Sequence, residues 1–166
     1  MSGRGTPAID VLRRAGVAFV VREYVPEDRA AGAGRGSWGL EAAEALGVEP
    51  ARVFKTLLAR IDDTRLAVGV VPVDRELDLK ALAAALDGRR ATMADPADAE
   101  RATGYVVGGI SPLGQRRRLP TVLDENALAG GTIFVSGGRR GLDIELRADD
   151  LVRLTGARVA RIARVG

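Results

Sequence analysis

The sequence predicts a mixed α/β fold in a single domain, and three observations carry that prediction. Candidate strands outnumber candidate helices, and several follow one another directly, as Val53–Leu58 and Arg65–Val73 do. That order speaks against a doubly wound sheet, whose strands alternate with helices. Neither a G-x-x-x-x-G-K-[ST] loop nor a G-x-G-x-x-G turn is present, since Gly104 and Gly108-Gly109 are spaced differently. Finally, 166 residues without internal repeats or a splitting linker suit one hydrophobic core.

Taken in order, Met1–Gly5 has no pattern and is expected to be a disordered tail, leaving residues 6–164 as the domain. Thr6 and Pro7 then read as an N-cap and first helical residue. Ile9, Leu12 and Ala15 give that helix its apolar stripe, and Gly16 ends it. Ala18–Tyr24 is rich in β-formers and predicts the first strand. Tyr24 closes it, either as a core-edge residue or as a ligand contact. Val25–Ser37, with Pro26 and a run of Ala and Gly, predicts a mobile surface loop. Trp38, the only tryptophan, is either a core anchor or a lid over a pocket. Leu40–Leu46 predicts a short helix closed by Gly47.

Val53–Leu58 predicts a strand whose apolar run is interrupted by Lys55. Alternation places Val53, Lys55 and Leu57 on one face and Phe54, Thr56 and Leu58 on the other. An unpaired buried ammonium is costly, so Lys55 belongs either at a sheet edge or in a polar cavity. Arg65–Val73 is its hairpin partner through Asp62-Asp63-Thr64. Asp78–Leu86 predicts a helix with Lys80 exposed, Arg90–Met93 a short strand, and Asp95 the N-cap of a further helix. Beyond Pro120, Thr121–Asp124 predicts a strand, and Gly131–Val135 leads into Ser136–Gly141, a glycine-rich basic turn. Leu142–Leu146 alternates as a strand with Asp143 and Glu145 on one face. A helix over Ala148–Leu154, stopped by Gly156, and a strand over Arg158–Ile162 complete the chain.

Gly104–Pro120 holds four glycines, two prolines and the consecutive Arg116, Arg117 and Arg118, so no regular element runs through it. Gly108-Gly109 permits positive φ and close approach to bare main chain. Ser111-Pro112 stiffens the middle of the stretch. One reading is a loop whose N–H groups hold a carbonyl or phosphate attached to something polyanionic. The other is a turn between strands with a solvated basic edge.

Composition then narrows the chemistry. The chain has no histidine and no cysteine, which excludes Ser-His-Asp and Cys-His nucleophilic systems built from its own residues. The usual zinc ligand sets are missing for the same reason, and neither a metal nor a cofactor is expected. No run approaches the roughly eighteen apolar residues that span a bilayer. The N-terminus has no signal-peptide pattern, so a cytoplasmic location is expected. The formal net charge of +3 is a weak signal for nucleic acid, and clustering matters more. Lys55 and Lys80 are the only lysines among 25 basic residues. Where arginine is the habit, a lysine points to a place that the broader guanidinium does not fit.

Several stretches together resemble the YbaK/EbsC family, which contains Cys-tRNA(Pro) deacylases, free-standing relatives of the editing domains inserted in prolyl-tRNA synthetases. The early matches are Thr6-Pro7-Ala8, Val53-Phe54-Lys55-Thr56-Leu57 and Leu77-Asp78-Leu79-Lys80. The later ones are Met93-Ala94-Asp95-Pro96, Thr103 through Gln115, and Ser136 through Leu146, so the likeness runs from about Thr6 to Arg164. It implies a barrel-like, mostly antiparallel sheet of six or seven strands surrounded by helices. It also implies removal of cysteine from mischarged tRNA(Pro), with the tRNA acceptor end and prolyl-tRNA synthetase as partners. Positions matching the family's pocket are Tyr24, Trp38, Lys55, Thr56, Gly108, Ser136 and Asp143; Gly109, Ile110 and Ser111 extend the pocket along the loop. Lys55, Gly108 and Asp143 are the expected catalytic positions, with N–H groups around Gly108-Gly109 on the ester carbonyl. Lys55 is expected to hold the terminal nucleotide or developing charge, and Asp143 to pair with Lys55 or with the substrate amine. Arg116, Arg117, Arg118, Arg139 and Arg140 are expected on tRNA phosphates. Trp38 stands where a smaller aromatic is the family habit, and the Val25–Ser37 loop is longer than usual. An editing enzyme for another residue, such as alanine, and a non-catalytic module binding tRNA or the synthetase are the alternatives.

Overall fold

The computed structural model describes residues 5–26 and 37–165; most of the expected tail and of the Val25–Ser37 loop lies outside the described residues. Helix α1 spans Pro7–Ala15, with the Thr6 hydroxyl accepting from the Ile9 N–H and Gly16 left-handed at its end. Its buried residues are Ala8, Ile9 and Leu12, whereas Ala15 is exposed, so the stripe ends one turn earlier than its spacing predicts. Strand β1 (Phe19–Glu23) follows, then α2 (Ser37–Leu46). Helix α2 therefore begins three residues before the expected start and carries Trp38 in its first turn.

Strands β2 (Phe54–Ile61) and β3 (Arg65–Pro72) form the expected hairpin. Its turn uses Asp62 and Asp63 at positive φ, a conformation aspartate tolerates better than most residues. After β4 (Glu76–Leu77) comes α3 (Leu79–Ala85), capped by the Asp78 carboxylate on the Ala81 N–H, with Lys80 exposed. Strand β5 (Ala91–Met93) and α4 (Pro96–Thr103) lead into the irregular stretch 104–120. Then come β6 (Thr121–Asp124), β7 (Thr132–Arg139), β8 (Leu142–Arg147), α5 (Ala148–Thr155), β9 (Arg158–Ala160) and β10 (Ala163–Arg164).

The strands form three sheets, ordered β5-β2-β3-β6-β9, β1-β8-β7 and β10-β4, and none closes on itself among the described residues. Most pairings are antiparallel, but β6 runs parallel to both β3 and β9. A parallel bridge between Val53 and Phe134 brings the two larger sheets together. The inner face of α2 covers this junction, packing Ala42 and Ala43 against Val53, Val73 and Phe134.

Two further departures have clear causes. Strand β7 runs through Ser136–Arg139, where the glycines predict a turn. Those glycines answer close approach instead. A Cβ on Gly137 would lie 2.9 Å from Leu142 Cγ, and one on Gly138 (φ +119°) 2.9 Å from Tyr105 Cε1. The expected last strand, Arg158–Ile162, ends at Ala160, and a further short strand follows it, because the buried Asp124 carboxylate accepts the Ile162 and Ala163 N–H groups, each at 2.9 Å. The other Asp124 oxygen takes the Asn126 backbone and side-chain N–H groups, which leaves this buried charge well solvated by the chain.

Candidate active site

A cavity of about 170 Å³ opens between the N-terminal half of β2, the β7–β8 end of the second sheet, α2 and the loop residues Val107, Gly108 and Ile110. Strand β5 pairs only with Ala59–Ile61 of β2, so the Phe54–Leu58 half borders the cavity where a neighbouring strand would otherwise run. Lys55 sits on this half and lines the cavity, which joins the two alternatives left open by its sequence setting. It is half-buried, and burial lowers its ammonium pKa against the opposing pull of Glu76 and Asp74.

On the opposite wall, Asp143 of β8 faces Ser136 of β7 in register. Asp143 is 6% exposed. Burial pushes its carboxyl up to about 7. Neither the Lys55 nor the Asp143 side chain makes a hydrogen bond or ion pair among the described residues. Of the two partners expected for Asp143, Lys55 and the substrate amine, the pair with Lys55 is not formed, although one cavity holds both groups. Tyr24, at the end of β1, lines the same wall. Burial and the nearby Asp143 charge push its phenol up to about 12. The Ser136 hydroxyl accepts from the Gly138 N–H at 3.1 Å and has no basic side chain bonded to it among the described residues.

The central loop is tied largely to itself. Gly104 ends α4 left-handed, Tyr105 donates its hydroxyl proton to the Leu113 carbonyl at 2.7 Å, and the Glu100 carboxylate accepts from the Val107 N–H. Gly108, at φ +100°, lies against the Trp38 ring, 3.3 Å from Cε3 to the place a Cβ would take. Its N–H has no hydrogen bond among the described residues. Gly109 is different, because its N–H donates to the Val106 carbonyl at 2.9 Å. A Cβ there would lie 2.5 Å from Arg139 Cα, so Gly109 serves packing and lies outside the lining. Ser111 also lies outside it, fully buried, its hydroxyl accepting from the Leu113 N–H. Ile110, Thr56 and Trp38 do line the cavity.

The five arginines divide into two groups. Arg139 and Arg140 rim the cavity, but Arg139 pairs with Glu23, and Arg140 grips Glu41 through two hydrogen bonds of 2.8 and 3.0 Å. Arg116, Arg117 and Arg118 are exposed, form no ion pair among the described residues and lie outside the cavity lining. Arg117 and Arg118 instead border a second groove beside Val11 of α1 and Leu154-Thr155 of α5.

Met93, Ala94, Pro96 and Ala99 form an apolar wall that sequence reasoning does not assign to the site. The Met93–Pro96 motif is the signal that could have found it. Glu41 gives none, since a glutamate on an Ala-rich helix reads as a solvated charge. Among the described residues no cluster of three or more carboxylate, imidazole or thiol groups is placed to hold a metal ion. No helix among them is long and apolar enough to cross a membrane.

The model of the aminoacyl-tRNA editing domain family matches residues 39–154. The chain is 42% identical over 120 residues to EbsC of Enterococcus faecalis, a proposed Cys-tRNA(Pro)/Cys-tRNA(Cys) deacylase, covering 72% of this chain and 73% of that protein. It is 29% identical over 119 residues to the uncharacterised protein YwhH of Bacillus subtilis, covering 72% and 75%. In three dimensions it resembles the crystal structure of a proposed trans-editing enzyme for prolyl-tRNA synthetase. That match has a TM-score of 0.78 and 24% identity, and covers 98% of this chain and 96% of the other.

Proposed function

The chain belongs to the aminoacyl-tRNA editing domain family, and we propose that it acts there as a free-standing deacylase removing cysteine from Cys-tRNA(Pro). In this reading the acceptor end of tRNA(Pro) is its substrate, and prolyl-tRNA synthetase is its working partner. The observation that carries the reading is the presence of Lys55 and Asp143 in one small cavity without ion-pair partners among the described residues, in a chain lacking histidine and cysteine. Such a site offers charges for a substrate to complete and no base-activated nucleophile of its own. An aminoacyl ester is already activated, so positioning and electrostatics suffice.

The cysteinyl thiol supplies the nucleophile. Its thiolate attacks the ester carbonyl, a C–S bond forms, and the carbon–oxygen bond to the terminal ribose breaks. The proton that the thiol releases to solvent as the thiolate forms is balanced by the one that the ribose oxygen takes up from solvent as it leaves. Water then opens the resulting cyclic thioester to free cysteine. The Gly108 N–H, which has no hydrogen bond among the described residues, is suited to steady the carbonyl oxygen as charge develops. Lys55 favours the thiolate and the developing negative charge, or holds the terminal nucleotide. Asp143 receives the α-ammonium group, whose charge favours the carboxylate that burial disfavours. Arg116, Arg117 and Arg118 have guanidiniums available to backbone phosphates. Arg139 and Arg140, already paired with carboxylates, act at the cavity rim.

Deacylation assays on Cys-, Ala- and Pro-tRNA(Pro) test this reading. It expects rapid loss of cysteine alone. Preferential hydrolysis of the alanyl ester would make the chain an editor for a different residue, and binding without hydrolysis would make it a tRNA-binding module.

A further inference from the structure

Away from the active-site cavity, the groove bordered by Arg117 and Arg118 has a volume of about 200 Å³. Val11 of α1, Leu113, Leu119 and Leu154 of α5 give it an apolar floor, which is the outer face of the main core. Its rim is held in place by the fold. The Arg116 and Arg117 N–H groups donate to the Thr103 and Ala102 carbonyls at the end of α4, each at 2.9 Å. The Arg118 guanidinium lies over Gly156, with Nη2 3.0 Å from the place a Cβ would take.

Charge and hydrogen bonding select what this groove accepts. Its lining holds two guanidiniums without ion pairs among the described residues, and no carboxylate. The groove beside Arg65 and Arg158 includes Asp87, and the one beside Arg52 and Arg75 includes Asp74. Gln115 adds an acceptor. Its side-chain N–H donates to the Ser111 carbonyl at 3.0 Å, which fixes the amide and leaves its oxygen without a donor among the described residues. A floor of this kind, with one acceptor and two cations, suits a flat ring that carries an exocyclic amine and adjoining phosphates. Cytosine and adenine present such an amine, whereas uracil presents a carbonyl in its place. Guanidinium planes also stack on bases. The volume is below the roughly 300 Å³ at which drug-sized pockets begin, so it takes one ring and leaves the phosphates at the rim.

We propose that this groove is a second nucleotide site, with an amine-bearing base on its apolar floor, the exocyclic amine on the Gln115 oxygen and the phosphates on Arg117 and Arg118. Pro96 and Ala99 of α4 line the active-site cavity, and the last carbonyls of α4 hold the arginine loop. Eight residues of helix rise about 12 Å. A stacked strand covers that distance in about three or four nucleotides at roughly 3.4 Å each, so cavity and groove take different nucleotides of one strand. That the nucleotide belongs to the tRNA rests on the deacylase reading; the site itself rests on the groove, and a free nucleotide offers the same chemistry.

The test is an NMR titration of the full chain at low salt. The Val11 and Leu154 methyl groups report on the groove, and the indole of Trp38, the single tryptophan, reports on the cavity. The probes are cytidine 3′,5′-bisphosphate, uridine 3′,5′-bisphosphate and inorganic phosphate. The cytidine compound is expected to saturate the methyl shifts at about 5-fold lower concentration than the uridine compound, the worth of one added hydrogen bond. Inorganic phosphate should leave the methyl groups unmoved. Equal affinity for the two bases, methyl shifts matched by inorganic phosphate, or shifts confined to Trp38 would overturn the proposal. Gln115→Leu should abolish the difference between the two bases. Val11→Glu, which sets a carboxylate in the groove, should weaken both compounds at unchanged Tm. A base preference that survives the first change, or binding undiminished by the second, would also overturn it. A single-stranded RNA ending in CCA that saturates the methyl and indole shifts together places the nucleotide on the substrate strand. Cytidine 5′-triphosphate saturating the methyl shifts while that RNA leaves them unmoved places it on a free nucleotide; either result supports the site. Groove shifts in a chain that fails to cleave Cys-tRNA(Pro) keep the site and sink the deacylase reading instead.

Discussion

Replacing Asp143 by asparagine removes a carboxyl that burial holds near neutrality, and its effect on stability depends on pH in a definite direction. Exposed, this group titrates at 3.8; in the fold it titrates at about 7. Between those values the folded chain binds more protons than the unfolded one, so this carboxyl makes stability fall as pH rises through that window. Below pH 4 both states are protonated and the group is neutral in its effect. Above pH 7 the fold carries a buried carboxylate with no ion-pair partner among the described residues, at a cost of about 4 kcal/mol. Asp143→Asn keeps the shape and abolishes the ionisation. Its stability relative to the unaltered chain is therefore expected to be about 4 kcal/mol more favourable at pH 8 than at pH 4. Any pH-independent cost of burying the amide cancels in that difference. In urea, with a slope of roughly 2 kcal/mol per molar, the midpoint difference between variant and parent should change by about 2 M between the two pH values. Unfolding curves by circular dichroism read it directly. A midpoint difference that is the same at pH 4 and pH 8 would refute the assignment of Asp143 as a buried, partnerless acid.

Lys55→Ala is expected to lower deacylation by about 100-fold or more at unchanged Tm, since it removes an electrostatic interaction with the developing charge. Lys55→Arg should recover only part of it because the guanidinium is broader and hydrogen-bonds differently; near-normal rates in both variants would remove Lys55 from the mechanism. Replacing Arg116, Arg117 and Arg118 by alanine should weaken tRNA binding and reduce the slope of log K against log salt by roughly 0.9 for each phosphate no longer neutralised. Turnover at saturating substrate should hardly change, and an unchanged slope would make the three arginines a solvated edge.

Much of the frame was legible because local chemistry and tertiary structure agree. Thr6, Pro7 and Gly16 bracket α1 by side-chain capping, fixed φ and left-handed backbone. Asp62-Asp63 turns the β2–β3 hairpin, and Asp78 caps α3. Where local signals had two physical causes, they misled. Glycines at 137 and 138 look like a turn, yet they lie inside a strand because Leu142, Tyr105 and Thr6 press on them. Gly109 and Ser111 look like ligand-facing loop residues, but their hydrogen bonds close on Val106 and Leu113 of the same loop. Pairings far apart in sequence, such as β1 with β8 and Arg140 with Glu41, leave no local mark. The three-sheet arrangement follows from such pairings. The cavity, by contrast, gathers Tyr24, Trp38, Lys55, Thr56, Gly108, Ile110, Ser136 and Asp143, all singled out in the sequence. Lys55 in an apolar strand and the paired glycine at 108 break the local pattern, and Tyr24 and Trp38 carry a pocket reading beside a core one; Thr56, Ile110, Ser136 and Asp143 are marked as pocket positions by the family resemblance alone.

Substrate-assisted attack by the cysteinyl thiol is the central claim, and the comparison of Cys-tRNA(Pro) with Ser-tRNA(Pro) tests it most directly. The seryl ester differs by one atom, keeps the amine for Asp143 and the adenosine for the rest of the site, and carries a hydroxyl far less ionised near neutral pH than a thiol. Single-turnover cleavage of both esters, with binding measured separately, is expected to give comparable affinity and a much slower reaction for the seryl ester. Equally fast cleavage of the two, or an acyl group trapped on Ser136, would contradict the claim and return the nucleophile to the protein or to water.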